Sequence, residues 1–312
     1  MKQRPLVSAV IPVHNRSWCL RRAFDSVLNQ TYRPLELIIV DDGSTDETPE
    51  ILEYIDTQYP PGGSLRERPG DSEPLERPQP FSPVVSFTTR ILHQKNRGVS
   101  AARNAAIQIA RGELIALLDS DDEWKPEKTA RQVEAFKAEP DLMINQTDED
   151  WIRDGEFVNK PKRLRKTSGD LFEVSLDHCA VSPSAVMMRR KLFDEIGLFD
   201  EAYPACEDYE MWLRVTARYP VGLIDEPLLI KYGGHDDQLS RTVEALDRYR
   251  IAAIVKTLDS GILSAEQTRL AIDALEEKCR IYALGARKRG REKEAEEIEA
   301  LARQYQQKFL QK

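Results

Sequence analysis

The sequence predicts an α/β fold, a mixed and mostly parallel sheet flanked by helices. Short apolar runs such as "LVSAVIPV", "PLELIIV" and "ELIALL" have the length and content of buried strands. Segments with helical spacing stand between them. Strand, helix, strand at this spacing is a βαβ unit, which imposes a parallel pair and a right-handed crossover.

The elements follow in order. "LVSAVIPV" closes on Pro12 as the first strand, and "SWCLRRAFDSVLNQ" is the first helix. Its apolar positions Leu20, Phe24, Val27 and Leu28 share one face, and Ser17 is the expected N-cap. "PLELIIV" is the second strand. "STDETPEILEYI" is the next helix, with Ser44 or Thr45 as cap. Residues 59–83 are dense in Pro, Gly, Glu and Arg and predict a flexible surface insertion. "VVSFTTRIL" resumes as a strand, "GVSAARNAAIQIARG" as a helix closed by Gly112, and "ELIALL" as the fourth strand. Beyond it, "DEWKPEKTARQVEAF", "RRKLFDEIGLFDE" and "CEDYEMWLRVTARY" carry helices, and "VGLIDEPLLIKYGG" carries strands.

From about 241 the chain turns helical. Ser264 and Gln267 have the spacing of a capping box. Ala271, Leu275, Cys279 and Tyr282 form one apolar face; Ala295, Ile298, Leu301, Tyr305 and Phe309 form another. This predicts a helical hairpin packed on the main domain or on a second copy, so a homodimer is one expectation. The division expected is 1–240 and 241–312.

Composition excludes several classes. A net charge of −8 argues against broad nucleic-acid binding, which needs a basic surface. No apolar run reaches the ~18 residues of a membrane span. The N-terminus lacks the apolar core and cleavage site of a signal peptide. Cys19, Cys179, Cys206 and Cys279 lack the close spacing of a metal site and fit free thiols in a reducing compartment. A cytoplasmic protein is expected. The basic run Lys160, Lys162, Arg163, Arg165 and Lys166 reads as a solvated loop; its alternative is a surface for an anionic acceptor or a membrane.

Two acidic clusters carry the chemistry. In open α/β sheets, ligands sit beyond the carboxyl ends of the strands. Asp41 and Asp42 end the second strand; Asp119, Asp121 and Asp122 end the fourth, in "ALLDSDDEW". Acids this close raise one another's pKa unless a cation joins them. Mg²⁺ and Mn²⁺ take such oxygen ligands and share them with substrate phosphates. The competing reading is that these acids cap the helices that follow.

"VSAVIPVHNR", "LELIIVDDGSTDET", "NRGVSAARNAAI", "ALLDSDDEW" and "FDEAYPACEDYEMWLR", in this order over residues 5–240, resemble the family 2 glycosyltransferases with the GT-A (Rossmann-like) fold. The resemblance implies an inverting transfer from a nucleotide-sugar donor, a UDP-sugar first, to a saccharide or lipid-linked acceptor. By it, Pro12 and His14 follow the first strand and cradle the nucleotide. Asp41, beside Asp42, binds the base, and Arg103 lies by the diphosphate. Asp119 faces the ribose and metal, and Asp121 faces the metal. Which of Asp121 and Asp122 is the main ligand stays open. Asp208 matches the base that takes the acceptor proton, with Glu207 as its alternative. His235, in "KYGGHDDQLS", is a further metal or phosphate contact on a lid. Ser182 and Ser184 lie where the acceptor pocket is shaped. The cofactor implied is Mn²⁺ or Mg²⁺. Donor, acceptor and a peripheral seat at the inner membrane face complete the expected partners.

Two rivals remain. A nucleotidyltransferase also uses acids and Mg²⁺, but "IPVHNRSW" lacks its Gly-rich loop. A catalytically silent sugar-nucleotide-binding scaffold would have no need of Asp119, Asp121 and Asp208 together. A dehydrogenase is disfavoured because no G-x-G-x-x-G follows the first strand.

Overall fold

The structure, a computed structural model, describes residues 4–59, 87–234 and 246–310. The expected insertion, from residue 60 onward, and His235 lie outside the described residues. Strands β1 (Val7–Val13), β2 (Leu35–Asp41), β3 (Phe87–His93) and β4 (Leu114–Leu117) pair in parallel in the order β3-β2-β1-β4. Helices α1 (Leu20–Leu28), α2 (Thr48–Gln58) and α3 (Val99–Ile109) make the crossovers. Alternate strand residues feed two cores. Ala9, Ile11, Leu37 and Ile39 pack under α1 and α2, while Val10, Ile38, Val40 and Ile115 pack under α3. Burial on both faces is why these strands read as unbroken apolar runs.

Pro12 lies inside β1, not in the loop after it. It pairs with Val40, whereas pairing with β4 ends at Val10. Its missing N–H faces the side where the ladder has stopped, so a proline fits there. The expected caps also move. Ser17, Ser44 and Thr45 cap no helix: Cys19 and Glu47 stand at those N-caps without side-chain caps. Instead Ser44 Oγ accepts from the Asn15 N–H at 2.9 Å, and the Ser17 N–H donates to Asp46 Oδ2 at 3.1 Å. These residues stitch the β1–α1 loop to the β2–α2 loop. Gly112 does not close α3, whose C-cap is Ala110. It is needed because a Cβ there would come within 2.6 Å of the Ser8 backbone N.

The second half of the sheet is mixed. It contains β5 (Glu123–Trp124), helix α4 (Lys128–Ala138), β6 (Ile144–Arg153), β7 (Glu156–Val158), α5 (Phe172–Asp177), β8 (Val186–Arg189), α6 (Lys191–Ile196), α7 (Glu207–Thr216) and β9 (Val221–Gly233). β8 pairs antiparallel with β4 and β6, and β9 runs parallel to β6. β6, β9 and β4 therefore point the same way. Asp154 and Gly155, both at positive φ, turn β6 back into β7.

Three helices follow: α8 (Leu246–Asp259), α9 (Ala265–Lys288) and α10 (Glu292–Leu310). The capping box forms with both hydrogen bonds. Of the expected faces, Ala271, Leu275, Cys279, Tyr282, Ala295 and Tyr305 are buried. They share a core with Phe172 and Leu176 of α5 and Tyr209 and Leu213 of α7. The hairpin packs on the sheet domain through α8 and also directly, with α9 against α5. No helix among the described residues is long and apolar enough to cross a membrane.

Candidate active site

The carboxyl ends of β1, β2 and β4 meet at one sheet edge, and the acids differ there in what holds them. Asp41 is buried: the Ser44 N–H donates to Oδ1 at 3.0 Å and His93 Nδ1 lies 3.1 Å from Oδ2. Asp42 spends both oxygens on the loop before α3. The Arg97 N–H and Gln94 Nε2 donate to Oδ1 at 2.9 and 2.7 Å, and the Gly98 N–H donates to Oδ2 at 2.8 Å. Asp42 thus shapes the loop that faces Asp41. His14 is half-buried, with Asn96 Nδ2 3.1 Å from its Nε2. Asn15 takes a left-handed φ of 51° and holds Thr45 N with Oδ1 at 2.7 Å. Pro12 is buried in the strand beneath them.

At the end of β4 the three acids separate in role. Asp122 is 2% exposed and its Oδ1 accepts from the Tyr232 N–H at 3.2 Å. Burial, with Asp121 and Asp119 beside it, pushes its carboxyl well above the usual range, against the pull of Lys231. It is the inward, structural member of the cluster. Asp119 and Asp121 are half-buried at the edge. The Asp121 carbonyl accepts from Arg22 Nη2 at 2.7 Å, and the Arg22 guanidinium lies over the Tyr232 ring. Ser184 is fully buried and accepts from the Asp119 N–H at 3.0 Å. Its hydroxyl braces the acidic turn from beneath. Ser182 is 8% exposed, and its hydroxyl has no protein partner among the described residues.

Arg103 is no surface arginine. It is 2% exposed, and its two terminal nitrogens go to different motifs. Nη2 donates to Asp119 Oδ1 and Nη1 to Glu207 Oε1, each at 2.7 Å. Burial works against its charge, but Asp119 and Glu207 outweigh that and hold it firmly protonated. A buried fork between two carboxylates is a strong geometric tie. It fixes the N-terminus of α7 to the end of β4.

Glu207 is therefore occupied. Burial and the neighbouring Asp208 push its carboxyl up, with Arg103 opposing. Asp208 stands more open, with Oδ1 on the Tyr209 N–H at 2.7 Å and Cys179 Sγ donating to Oδ2 at 3.2 Å. Desolvation of its sulfur, then Asp208, push the Cys179 thiol well up although the residue as a whole is exposed, so it stays a donor. Cys206, just before the pair, has φ 60°, a strained entry that aims the first turn of α7 into the site. Cys179 and Lys231 carry no sequence signal as site residues, while Lys166 falls in the basic run. The basic run itself divides: Lys160 pairs with Asp148 and Lys166 with Glu149, while Lys162, Arg163 and Arg165 are exposed. The solvated-loop reading thus fails for the two lysines that turn inward to neutralise β6 acids.

No three acidic, imidazole or thiol groups among the described residues are set to enclose a metal by themselves. Asp119 and Asp121 fit a hard cation all the same. Such ions are often held by one or two carboxylates plus substrate phosphates and water.

Comparison with known proteins agrees with this geometry. The chain is 30% identical over 263 residues to an uncharacterized glycosyltransferase of Rickettsia typhi, covering 80% of this chain and 71% of that one. It is 27% identical over 221 residues, 68% of this chain and 71% of the relative, to the UDP-Glc:alpha-D-GlcNAc-diphosphoundecaprenol beta-1,3-glucosyltransferase WfaP of Escherichia coli. In fold it resembles S. aureus TarS 1-349 in complex with UDP-GlcNAc, with a TM-score of 0.59 at 16% identity over 96% of this chain and 91% of that one. The model of "Glycosyl transferase family 2" matches residues 8–71 and 86–197. That match takes in both acidic clusters and Arg103 and stops short of Asp208. With that model matching more than half of the chain and a relative 30% identical over 80% of it, the chain belongs to glycosyl transferase family 2.

Proposed function

We propose that this glycosyltransferase moves a sugar, with inversion, from a UDP-sugar to a saccharide or lipid-linked acceptor with the help of a divalent cation. The observation that carries the reading is the Arg103 bridge from Asp119 to Glu207, which supports grouping the Asp119–Asp121 edge with Asp208. Asp41 and His14 lie toward the nucleotide. Asp119 and Asp121 would hold Mg²⁺ or Mn²⁺, which when bound neutralises charge on the leaving diphosphate. The acceptor oxygen attacks the anomeric carbon as the bond from that carbon to the diphosphate oxygen breaks. The departing electron pair leaves with UDP. Asp208 takes the hydroxyl proton on a carboxylate oxygen, and Cys179 and the Tyr209 N–H keep that carboxylate turned into the site. A single displacement of this kind inverts the anomeric centre. The printed names of WfaP and of the TarS complex support a UDP-sugar donor, and WfaP's supports a lipid-linked acceptor.

The reading includes a seat at the membrane face, supported by exposed Lys162, Arg163 and Arg165, and self-association, supported by exposed Ile281 and Leu284 on α9. Vesicle sedimentation and light scattering test these. The central test is calorimetry of UDP, dTDP and GDP with Mn²⁺, with Mg²⁺ and with chelator. Metal-dependent binding of UDP, lost in Asp121→Ala, is expected. Binding of none of the three under any metal would sink the reading.

A further inference from the structure

The C-terminal halves of β6 and β9 run side by side, with Trp151 opposite Lys231 and Glu149 opposite Leu229. They reach the same sheet edge as β4, on the side away from β2. Two lysines lie near one carboxylate there, and one of them contacts it. Lys166 Nζ lies 3.3 Å from Glu149 Oε2 and donates to Gln146 Oε1 at 2.9 Å. Trp151 Nε1 fixes the other Glu149 oxygen at 2.8 Å. Lys231 feels the field of Glu149, Asp122, Asp119 and Cys179. Among the described residues, however, none forms a hydrogen bond or ion pair with its ammonium. The nearby acids contact other groups instead: Glu149 contacts Lys166, Asp119 Oδ1 contacts Arg103, and Asp122 Oδ1 contacts the Tyr232 N–H. An ammonium drawn partly from water without a contact partner is costly. A site that keeps one is matched by an incoming anion.

We propose that Lys231, backed by Lys166 and Glu149, binds an oxyanion, carboxylate or phosphate, carried by the acceptor substrate. Placement favours the acceptor over the donor. The nucleotide-side acids end β2, and β1, β4 and β8 separate that strand from β6. On the other side, Cys179 links the cluster to Asp208, which receives the acceptor's proton. The inference rests on the donor and base roles proposed above.

The test is calorimetry on the full chain and on Lys231→Met and Lys231→Arg, each checked for folding by thermal melting. UDP with Mn²⁺ is titrated first. N-acetylglucosamine 1-phosphate, glucuronate and neutral N-acetylglucosamine follow, with and without UDP. The wild type is expected to bind one of the charged sugars at least about tenfold tighter than the neutral one. Lys231→Met should erase that preference, Lys231→Arg should keep it, and UDP affinity should stay within about threefold in both. No preference in the wild type overturns the proposal. So does a UDP affinity reduced about tenfold in Lys231→Met, which would move the lysine to the donor phosphates. A wild type that prefers the charged sugar through Lys231 yet binds no UDP would sink the donor reading and keep the oxyanion site.

Discussion

Removing the Arg103 guanidinium would leave Asp119 and Glu207 uncompensated, Glu207 in a buried position. Breaking a buried ion pair from one side costs more than the pair contributes, because the stranded charge stays desolvated. Arg103→Ala is expected to lose about 3–5 kcal/mol of stability and all transfer activity. Arg103→Lys offers one ammonium where a fork is needed, so part of the stability returns and little of the activity. Urea unfolding with donor calorimetry checks both, and an alanine variant as stable as the wild type would refute the bridge. Glu36 makes a pH prediction far from the site. Burial pushes its carboxyl up, but Ser8, the Arg111 backbone and side chain, and Arg90 outweigh that and hold it low. The folded state therefore keeps the charge while the unfolded chain takes up a proton first. The stabilisation is present above the ordinary glutamate value of about 4.3 and is lost as pH falls through the lower folded value. Glu36→Gln should cost about 2 kcal/mol at neutral pH, and the deficit should shrink toward about pH 3 in denaturant melts at both. The strand-end positions of Asp41 and Asp119 are legible in sequence, as is the helix that carries Arg103. Cys179 and Lys231 are not, because their meaning lies in side chains that meet only after β6, β9 and α7 are assembled.

Capping was readable at one helix and unreadable at two. Ser264 stands in an exposed turn with Gln267 three residues on, and the two close their reciprocal capping bonds locally. Ser264→Ala should lower stability by about 1 kcal/mol, read from the melting midpoint. Ser17, Ser44 and Thr45 have the same chemistry but sit between two loops at the site, where Asn15 and Asp46 compete for them and win. Gly112 was placed rightly at the end of a helical stretch and wrongly explained. Its reason is the approach of the Ser8 backbone from β1, a contact that helix periodicity has no means to report. Gly112→Ala forces a Cβ against backbone and should cost about 1–3 kcal/mol, again with the melting midpoint as readout. The Asp154–Gly155 hairpin, by contrast, carries a local turn signal that apolar-run counting passes over.

Across the whole chain, β1, β2 and β4 are legible because each is buried on both faces and has to be apolar, while β3, at the end of the sheet, is only partly buried. The mixed half is harder, since β6 carries acids that Lys160 and Lys166 from the stretch after β7 neutralise, and all four look solvated in sequence. The C-terminal helices bind this half to function. α7 presents Glu207 and Asp208 on one end and lays Tyr209 and Leu213 into the core formed with α8 and α9. Lys256 of α8 pairs with the buried Glu210 at 2.7 Å, and Gln267 of α9 donates to the Ala217 carbonyl at 3.0 Å. Ending the chain after residue 245 would strip that support from α5 and α7 and expose Phe172, Leu176, Tyr209 and Leu213 together. A fully buried side chain of this kind contributes about 1.5–3 kcal/mol, so four uncovered at once approach the net stability of a domain. The truncated chain is expected to bind a hydrophobic dye strongly, to melt without a cooperative transition and to lose transfer activity. A truncated protein that stayed monomeric and melted sharply, with UDP affinity intact and transfer unchanged, would show that the helices only cover a sheet domain already complete without them.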